Sequence, residues 1–229
     1  MSQFVSAIIV AAGGSVRMGT EDSKQFLPLL GKPAIQYTLT AFEGCGVVNE
    51  INVVSREQDV ERIKALAADC GISKLAAAVT GGDSRAESVR NGVSAASPEA
   101  KLLAIHDGAR PLITVGEIER VIETAFETGA AALGTEVTDT IKLVDDSDLI
   151  VSTPQRSRLR AVQTPQVFDR ELYTFAMENA EDKLSEFTDD CALIESMGGE
   201  VTVVRGEKSN IKLTTPLDII IAESILSRK

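Results

Sequence analysis

Residues 8–26 read IIVAAGGSVRMGTEDSKQF, in which an apolar run leads directly into a glycine-rich turn that carries Arg17 and Lys24. Small residues after a buried strand allow backbone N–H groups to approach phosphate oxygens closely. The stretch therefore predicts the first strand of an α/β sheet, followed by a phosphate-binding loop. A glycine turn with two solvated cations is the alternative that this stretch alone leaves open.

The glycine spacing of this loop differs from that of two common phosphate motifs. No Gly-Lys-Ser/Thr closes it, as a Walker A motif requires, and the adjacent Gly13 and Gly14 do not fit GxGxxG. A dinucleotide fold also expects an acidic residue about 20 residues beyond the glycines. The second predicted strand instead ends in Ser55-Arg56. Because an arginine there would suit the 2′-phosphate of NADP, an NADP-dependent oxidoreductase stays open as an alternative.

Composition narrows the possible partners of this chain. Of its 229 residues, 44% are hydrophobic and 4% aromatic, and its formal net charge is −11. An acidic chain with few aromatic side chains lacks the basic face and stacking platforms of nucleic-acid-binding proteins. The sequence also shows no apolar run of the ~20 residues that a membrane-spanning helix needs, and no basic secretory leader. We therefore expect a cytoplasmic protein that binds neither nucleic acid nor membrane.

Short β-branched runs alternate with helical patterns along the chain. The predicted strands are 5–11, 51–54, 75–79, 102–105, 131–136 and 201–204. The predicted helices are 35–42, 60–68, 86–95, 118–126, 172–179 and 217–226. This alternation predicts an α/β fold, with a mostly parallel, Rossmann-like twisted sheet and helices on both faces.

Several helix starts carry capping signals. Ser84 followed by Glu87, and Thr114 followed by Glu117, fit the capping box, in which a hydroxyl and a carboxylate bind free backbone N–H groups. Thr215-Pro216 places a capping residue and a proline at the start of the last helix.

One segment, from Thr138 to Pro165, interrupts the alternation. Two short alternating runs, 140–144 and 149–153, flank the polar turn at 145–148 and predict a hairpin that projects from the sheet. Such an arm has exposed edges, and a second copy of the chain is the simplest cover for them. The sequence thus predicts one domain over residues 1–229, with a β-arm at about 138–165 that serves dimerisation.

Polar and charged residues follow several predicted strands. In doubly wound sheets, ligands bind beyond the carboxyl ends of the strands. The segments found there are AAGGSVRMG after the first strand, TGGDSR at 80–85, HDGARP at 106–111, TDT at 138–140 and NIK at 210–212. Their convergence on one edge of the sheet predicts a single ligand site.

Taken together, these segments resemble the 2-C-methyl-D-erythritol 4-phosphate cytidylyltransferase family of the non-mevalonate isoprenoid pathway. The motifs that carry the resemblance cover nearly the whole chain and are, in order, AAGGSVRM, SKQF, GGDSRAESV, HDGARP, TDTIK, QTPQVF, FTDD and NIKLTTP. The related bacterial family that makes CDP-ribitol shares many of them. Where the family loop commonly opens with proline, this chain has Val10, at a position that contributes backbone contact only.

The resemblance implies a nucleotidyltransferase that uses CTP and a polyol phosphate as substrates and Mg²⁺ as cofactor, and that forms a homodimer through the arm. The implied catalytic residues are Arg17, Lys24, Asp107 and Lys212, with Asp107 also the metal ligand. The implied nucleotide-binding residues are Ala11, Ala12, Gly13, Gly14, Gly82, Asp83 and Ser88. The implied residues of the polyol phosphate pocket are Arg110, Thr140, Arg156, Thr164 and Thr188, those on the arm coming from the other subunit.

The chemistry of this reaction suits the residue types present. A phosphate monoester has a second pKa near ~6, so the acceptor is largely dianionic at neutral pH and needs no general base. Fixed cations and a metal ion must instead stabilise charge on the phosphoryl oxygens. The chain has a single histidine, His106, which we interpret as structural, and Asp107 is the best-placed carboxylate for Mg²⁺. A turn or capping role is the alternative for Asp107.

Other interpretations concern side chains near the site and the substrate itself. Thr188-Asp189-Asp190 predicts a helix start in which the aspartates complement the helix dipole and Thr188 alone faces substrate. Methylerythritol phosphate is the expected acceptor, with ribitol 5-phosphate as the alternative. A non-catalytic nucleotide-binding regulator is a further alternative, against which the presence of Arg17, Lys24 and Asp107 argues.

Overall fold

The computed structural model describes residues 3–13 and 23–228, and its strands and helices alternate as the sequence predicts. The strands are β1 (Val5–Ala11), β2 (Pro28–Leu29), β3 (Lys32–Pro33), β4 (Glu50–Ser55), β5 (Leu75–Thr80), β6 (Leu102–Asp107), β7 (Ala130–Glu136), β8 (Leu143–Val144), β9 (Ile150–Ser152), β10 (Arg160–Asp169) and β11 (Thr202–Arg205). The α-helices are α1 (Ala34–Gly44), α2 (Val60–Asp69), α3 (Arg85–Ala95), α4 (Val115–Thr128), α5 (Arg170–Ala180), α6 (Asp190–Ser196) and α7 (Pro216–Leu226).

The central sheet has seven strands in the order β11-β7-β10-β6-β1-β4-β5. All neighbouring pairs are parallel except the two that β10 makes with β6 and β7. The mostly parallel sheet is therefore confirmed. Sequence patterns did not predict β10, because Pro165 and flanking polar residues interrupt its apolar alternation. Its pairing with β7 shifts register between Val162 and Gln166.

Helices cover both faces of this sheet, as the alternation predicts. One hydrophobic core lies between the sheet and α1, α2 and α4, and a second lies between the sheet and α3, α5 and α6. Successive residues of β1 point to opposite faces, so Ile9 belongs to the first core and Ile8 to the second. A central strand that is apolar on both sides needs helices packed on both faces of the sheet to bury it.

The predicted helix caps are present. Ser84 Oγ accepts a hydrogen bond from the Glu87 backbone N–H at 3.0 Å, and a carboxylate oxygen of Glu87 accepts one from the Ser84 N–H at 3.1 Å. Thr114 and Glu117 form the second box. Helix α7 begins at Pro216, where the sequence placed it. These caps fix where α3, α4 and α7 leave the edge of the sheet.

The hairpin predicted between residues 138 and 165 is formed by β8 and β9, which pair antiparallel. Its paired strands are shorter than the predicted arms, and β10 already begins at Arg160, so the last residues of that segment belong to the central sheet. The hairpin side chains are exposed, with Leu149 at 66% and Ile150 at 64% of their full accessibility. Within the described residues, no helix is long and apolar enough to cross a membrane.

Candidate active site

A cleft of about 230 Å³ lies beyond the carboxyl ends of β1, β5 and β6. Parallel strands bring their carboxyl ends to one edge, so loops distant in sequence meet there. We call it the Lys24 cleft. The predicted site residues that line it are Ala12, Gly13, Lys24, Gly82, Asp83, Ser88, Asp107 and Lys212.

The connection between β5 and α3 packs closely against the end of β1. A Cβ added to Gly81 would lie 2.5 Å from the Cβ of Ala12, and one added to Gly82 would lie 2.4 Å from the Cβ of Glu87. Only glycine permits this approach. Ser88 Oγ accepts from the Gly82 N–H at 3.1 Å and donates to the Ser84 carbonyl at 2.9 Å. The hydroxyl proton of Ser88 is thus engaged within the loop, which it shapes from inside.

Asp107, the last residue of β6, is surrounded by three cations. Lys212 Nζ lies 2.8 Å from its Oδ2, Arg85 Nε lies 3.5 Å from its Oδ1, and Arg110 Nε lies 3.7 Å from Oδ2. Burial raises the pKa of Asp107, but the charges of Lys212, Arg85 and Arg110 outweigh burial and lower this pKa to about 2. The carboxylate is therefore ionised at neutral pH.

Arg85 is a charged residue of the cleft that sequence reasoning assigned no role. Its guanidinium lies between two carboxylates, with Nη2 at 2.8 Å from Asp190 Oδ2 and Nε near Asp107. Burial lowers the pKa of Arg85, but Asp190 and Asp107 outweigh it and raise this pKa above its usual range. The signal available in the sequence was its position in GGDSRAESV, between the predicted nucleotide-binding residues Asp83 and Ser88.

The start of α6 has a role beyond the predicted one. Asp189 caps the helix by accepting from the Ala192 N–H at 2.9 Å, as a dipole-complementing residue does. Asp190, in contrast, is buried, pairs with Arg85 and accepts the Tyr173 hydroxyl at 2.6 Å. Both aspartates lie at the helix start, as expected, and Asp190 is in addition the buried partner of Arg85.

A second cavity of about 180 Å³, which we call the Thr188 cavity, adjoins the Lys24 cleft. The predicted residues Arg110, Thr164 and Thr188 line it, and so does Asp189, so Thr188 is not alone there. The two spaces share the side chains of Arg85, Asp107 and Lys212. These three charges therefore stand where ligands in the two spaces would meet.

The segment that carries Lys212 is held by buried polar contacts. Asn210 Nδ2 donates to the Thr164 carbonyl at 3.0 Å and to Gln163 Oε1 at 3.3 Å. The Asn210 carbonyl accepts from Arg110 Nη1 at 2.8 Å. Since Asn210 is fully buried, these bonds fix the backbone two residues before Lys212 and orient its ammonium toward the junction of the two spaces.

His106 lies inside the sheet and lines neither space. Its ring is fully buried and packs against Phe42 with ring centroids 5.1 Å apart. Nε2 lies 3.2 Å from the Arg110 carbonyl and Nδ1 lies 3.0 Å from Thr164 Oγ1. Burial lowers the pKa of His106 to about 4, so the ring is neutral at neutral pH. These contacts agree with the structural role expected of it.

Three other predicted site residues, all within the described part of the chain, line neither space. Thr140 and Arg156 are exposed on the arm, where Arg156 Nη1 donates to the Thr138 carbonyl at 2.9 Å. Ala11 ends β1 with 2% of its surface exposed and does not line the Lys24 cleft. Arg17 and Gly14 lie outside the described residues.

The sequence of this chain is similar to those of known proteins over nearly its whole length. The family model described as IspD, 2-C-methyl-D-erythritol 4-phosphate cytidylyltransferase, matches residues 5–228. The enzyme of that name from Desulforamulus reducens is 42% identical over 226 residues, which are 98% of this chain and 97% of the relative.

Solved structures agree as well. The crystal structure of 4-diphosphocytidyl-2C-methyl-D-erythritol synthase from Anaerococcus prevotii superposes with a TM-score of 0.88 at 32% identity, covering 99% of each chain. The 2-C-methyl-D-erythritol 4-phosphate cytidylyltransferase of Thermus thermophilus gives 0.78 at 32% identity, covering 99% of this chain and 100% of that one. This chain belongs to the 2-C-methyl-D-erythritol 4-phosphate cytidylyltransferase family.

Proposed function

We infer that this chain transfers the cytidylyl group of CTP to 2-C-methyl-D-erythritol 4-phosphate, giving 4-diphosphocytidyl-2-C-methyl-D-erythritol and pyrophosphate for isoprenoid precursor synthesis. Family membership over nearly the whole chain supports this activity. The structural observation that supports this activity is that the Lys24 cleft and the Thr188 cavity meet at Arg85, Asp107 and Lys212. A reaction between two phosphorylated substrates needs such a shared charged centre.

We assign CTP to the Lys24 cleft and the polyol phosphate to the Thr188 cavity. An oxygen of the acceptor phosphate attacks the α-phosphorus of CTP and forms the new P–O bond. The bond from the α-phosphorus to the oxygen that bridges it to the β-phosphate breaks, and its electron pair leaves with pyrophosphate. Because the acceptor is largely dianionic at neutral pH, no side chain has to remove a proton.

The cations near the junction hold the two polyanions together. Lys24 and Lys212 line the Lys24 cleft and supply compact charges that can follow the transferring group. Arg17 supplies planar, bidentate donors to the triphosphate in this proposal. Charges held in place before the reaction stabilise the transition state without further reorganisation.

We assign recognition of cytosine to the loop at Gly82 and Asp83, with backbone groups of Ala12 and Gly13 opposite. The backbone N–H of Asp83 already donates to a carboxylate oxygen of Glu87 at 2.7 Å. The loop is thus held in one conformation by its own capping box. Carbonyl groups and side chains of this loop are available to read the base edge, and Ser88 Oγ keeps one lone pair that can accept from an amino group.

We propose that a second copy of the chain completes the polyol phosphate pocket. Arg110, Thr164 and Thr188 line the Thr188 cavity within this chain, whereas Thr140 and Arg156 lie on the arm and line neither space. The arm also exposes large apolar side chains. A homodimer that covers them would place Thr140 and Arg156 at the partner's pocket.

Mg²⁺ is the cofactor that we propose. Sites for phosphate chemistry usually hold this ion by one or two carboxylates and by phosphate oxygens of the substrate. The described residues contain no group of three or more His, Cys, Asp or Glu side chains placed to hold a metal ion by themselves. The ionised Asp107, with Asp83 in the same cleft, nevertheless fits a donor set of one or two carboxylates. When bound, the ion would offset charge on the phosphoryl oxygens.

One assay tests these assignments. The protein is incubated with Mg²⁺, each of the four ribonucleoside triphosphates, and either methylerythritol phosphate or ribitol 5-phosphate, and pyrophosphate is measured. We expect release only with CTP and methylerythritol phosphate, and its loss on chelation with EDTA. Preferred release with ribitol phosphate would reassign the acceptor. No release with any pair, together with NADP binding, would favour the oxidoreductase.

A further inference from the structure

The imidazole of His106 bridges two segments that carry reaction residues. Its Nε2 faces the carbonyl of Arg110, across the turn that the Arg110 N–H closes onto the Asp107 carbonyl at 2.9 Å. Its Nδ1 faces Thr164 Oγ1, which also accepts the Asp107 backbone N–H at 3.0 Å. The ring is fully buried and Thr164 is 4% exposed. Water therefore does not compete for these contacts.

For a neutral ring, the donors and acceptors of this cluster allow one arrangement of hydrogens. A carbonyl only accepts, so the proton of the neutral ring must be on Nε2. Nδ1 is then an acceptor, and the only hydrogen that Thr164 can supply is its hydroxyl proton. The Asp107 N–H occupies one lone pair of the same oxygen. Thr164 Oγ1 keeps one free lone pair, but its only proton is already bonded to His106 Nδ1 and cannot be donated to a ligand.

We propose that His106 is a positioning residue of the reaction, which fixes the Asp107–Arg110 turn through the Arg110 carbonyl and through the Thr164 hydroxyl. One rigid ring thereby sets the backbone of Asp107 and of Arg110 relative to β10. The kinetic part of this inference rests on the proposed function, and the hydrogen-bond part does not.

A consequence concerns Thr164, which the resemblance assigns to the polyol phosphate pocket. A phosphate dianion offers only acceptors, and the hydroxyl proton of Thr164 is directed to His106. Thr164 therefore does not donate to the phosphate of the acceptor substrate. It acts through His106 and Asp107, as a positioning residue of the same cluster.

The single histidine of the chain permits a direct test that needs no turnover. In long-range ¹H–¹⁵N spectra of the full-length protein at neutral pH, we expect one protonated nitrogen, Nε2, and one unprotonated nitrogen, Nδ1. Thr164→Val should shift the Nδ1 signal because it removes the donor, and Thr164→Ser should return that signal toward the wild-type position. A ring protonated on Nδ1, rapid averaging of the two tautomers, or an Nδ1 signal unmoved by Thr164→Val would overturn the proposal.

Kinetics with CTP and methylerythritol phosphate test the positioning role. We expect Thr164→Val to lower kcat by about tenfold to a hundredfold, because misplacement of a reaction group by ~1 Å has effects of this size. The KM for the polyol phosphate should change little, and Thr164→Ser should recover most of the lost kcat. A raised KM with unchanged kcat would instead identify Thr164 as a direct substrate ligand.

A matched control removes a threonine hydroxyl elsewhere. Thr128 ends α4 at the opposite edge of the sheet and donates to the Thr124 carbonyl at 2.9 Å. Thr128→Val should leave kcat unchanged, and thermal unfolding of each variant confirms that it folds. If the wild-type protein releases no pyrophosphate, the proposed function fails, while the spectra still decide the role of His106.

Discussion

The Lys24 cleft and the Thr188 cavity share three charged side chains but are constructed in different ways. The cleft is shaped by neighbours in sequence, since Gly82, Ser84, Glu87 and Ser88 hold one another within a single loop and helix start. The cavity is shaped by contacts between distant segments, such as the bond from Asn210 to the Thr164 carbonyl. A site held by contacts between sequence neighbours can be recognised from a sequence motif. A site held by contacts between distant segments can be recognised only once the fold is known.

The largest expected effect concerns the two cations that we assign to the triphosphate of CTP. Lys24→Ala should lower kcat by about a hundredfold or more, the scale for removal of one preorganised donor to a developing charge, and we expect the same of Arg17→Ala. Pyrophosphate release measures turnover, and thermal unfolding measures separately whether the variant is folded. Lys64→Ala on α2, where Lys64 pairs with the exposed Glu61, is the matched control and should keep full activity. A folded Lys24→Ala variant with near-normal turnover would contradict the assignment of CTP to this cleft.

The next largest effect tests a contact between distant segments, the ion pair of Arg85 with Asp190. Arg85→Leu should reduce the free energy of unfolding by about 3 kcal/mol, because it leaves a buried carboxylate without its charged partner. That carboxylate is Asp190, which is 4% exposed. Chemical denaturation measures the change.

A double variant identifies the cause of that loss. Arg85→Leu with Asp190→Asn removes the unpaired charge but keeps an acceptor for the Tyr173 hydroxyl. We expect the double variant to be more stable than Arg85→Leu alone. Equal stability of the two would mean that lost packing of the Arg85 stem, rather than the buried charge, causes the effect.

The contrast between local and long-range contacts also explains which parts of the fold and site the sequence predicts. The parallel strands and the capping boxes depend on local periodicity and on side chains three or four residues apart, and the structure confirms them. Strand β10 was not predicted, because Pro165 lies in its middle and its neighbours across the sheet decide its conformation. The pair of Arg85 with Asp190 was also missed, since its two residues are 105 positions apart and only the fold brings the first residues of α3 and α6 together.

A smaller effect is expected from the close approach within the Lys24 cleft. Gly81→Ala would place a Cβ 2.5 Å from that of Ala12, so the loop must move away from β1. Overpacking of this kind costs about 1–3 kcal/mol, and we expect a raised KM for CTP with a folded protein. Gly46→Ala, where nothing lies within 4 Å of the added Cβ, is the control. An unchanged KM for CTP in Gly81→Ala would show that this loop does not contact the nucleotide.

The smallest effect separates two capping boxes that look alike in sequence. In the first, one oxygen of Glu87 accepts the N–H groups of both Asp83 and Ser84. In the second, one oxygen of Glu117 binds the Thr114 amide and hydroxyl, and the other accepts the Glu207 N–H at 2.8 Å, which ties α4 to the segment leading to Lys212.

Glutamine keeps one carbonyl oxygen and replaces the other with an amide that only donates. Glu87→Gln can therefore retain both local bonds, whereas Glu117→Gln must lose either the cap or the bond to the Glu207 N–H. We expect Glu117→Gln to lower the free energy of unfolding by about 1 kcal/mol, the scale for a buried group left unpaired, and Glu87→Gln to lower it by less. Chemical denaturation measures both changes. If the two variants lose equal free energy of unfolding, the bond from the Glu207 N–H to Glu117 adds no stability beyond the local cap.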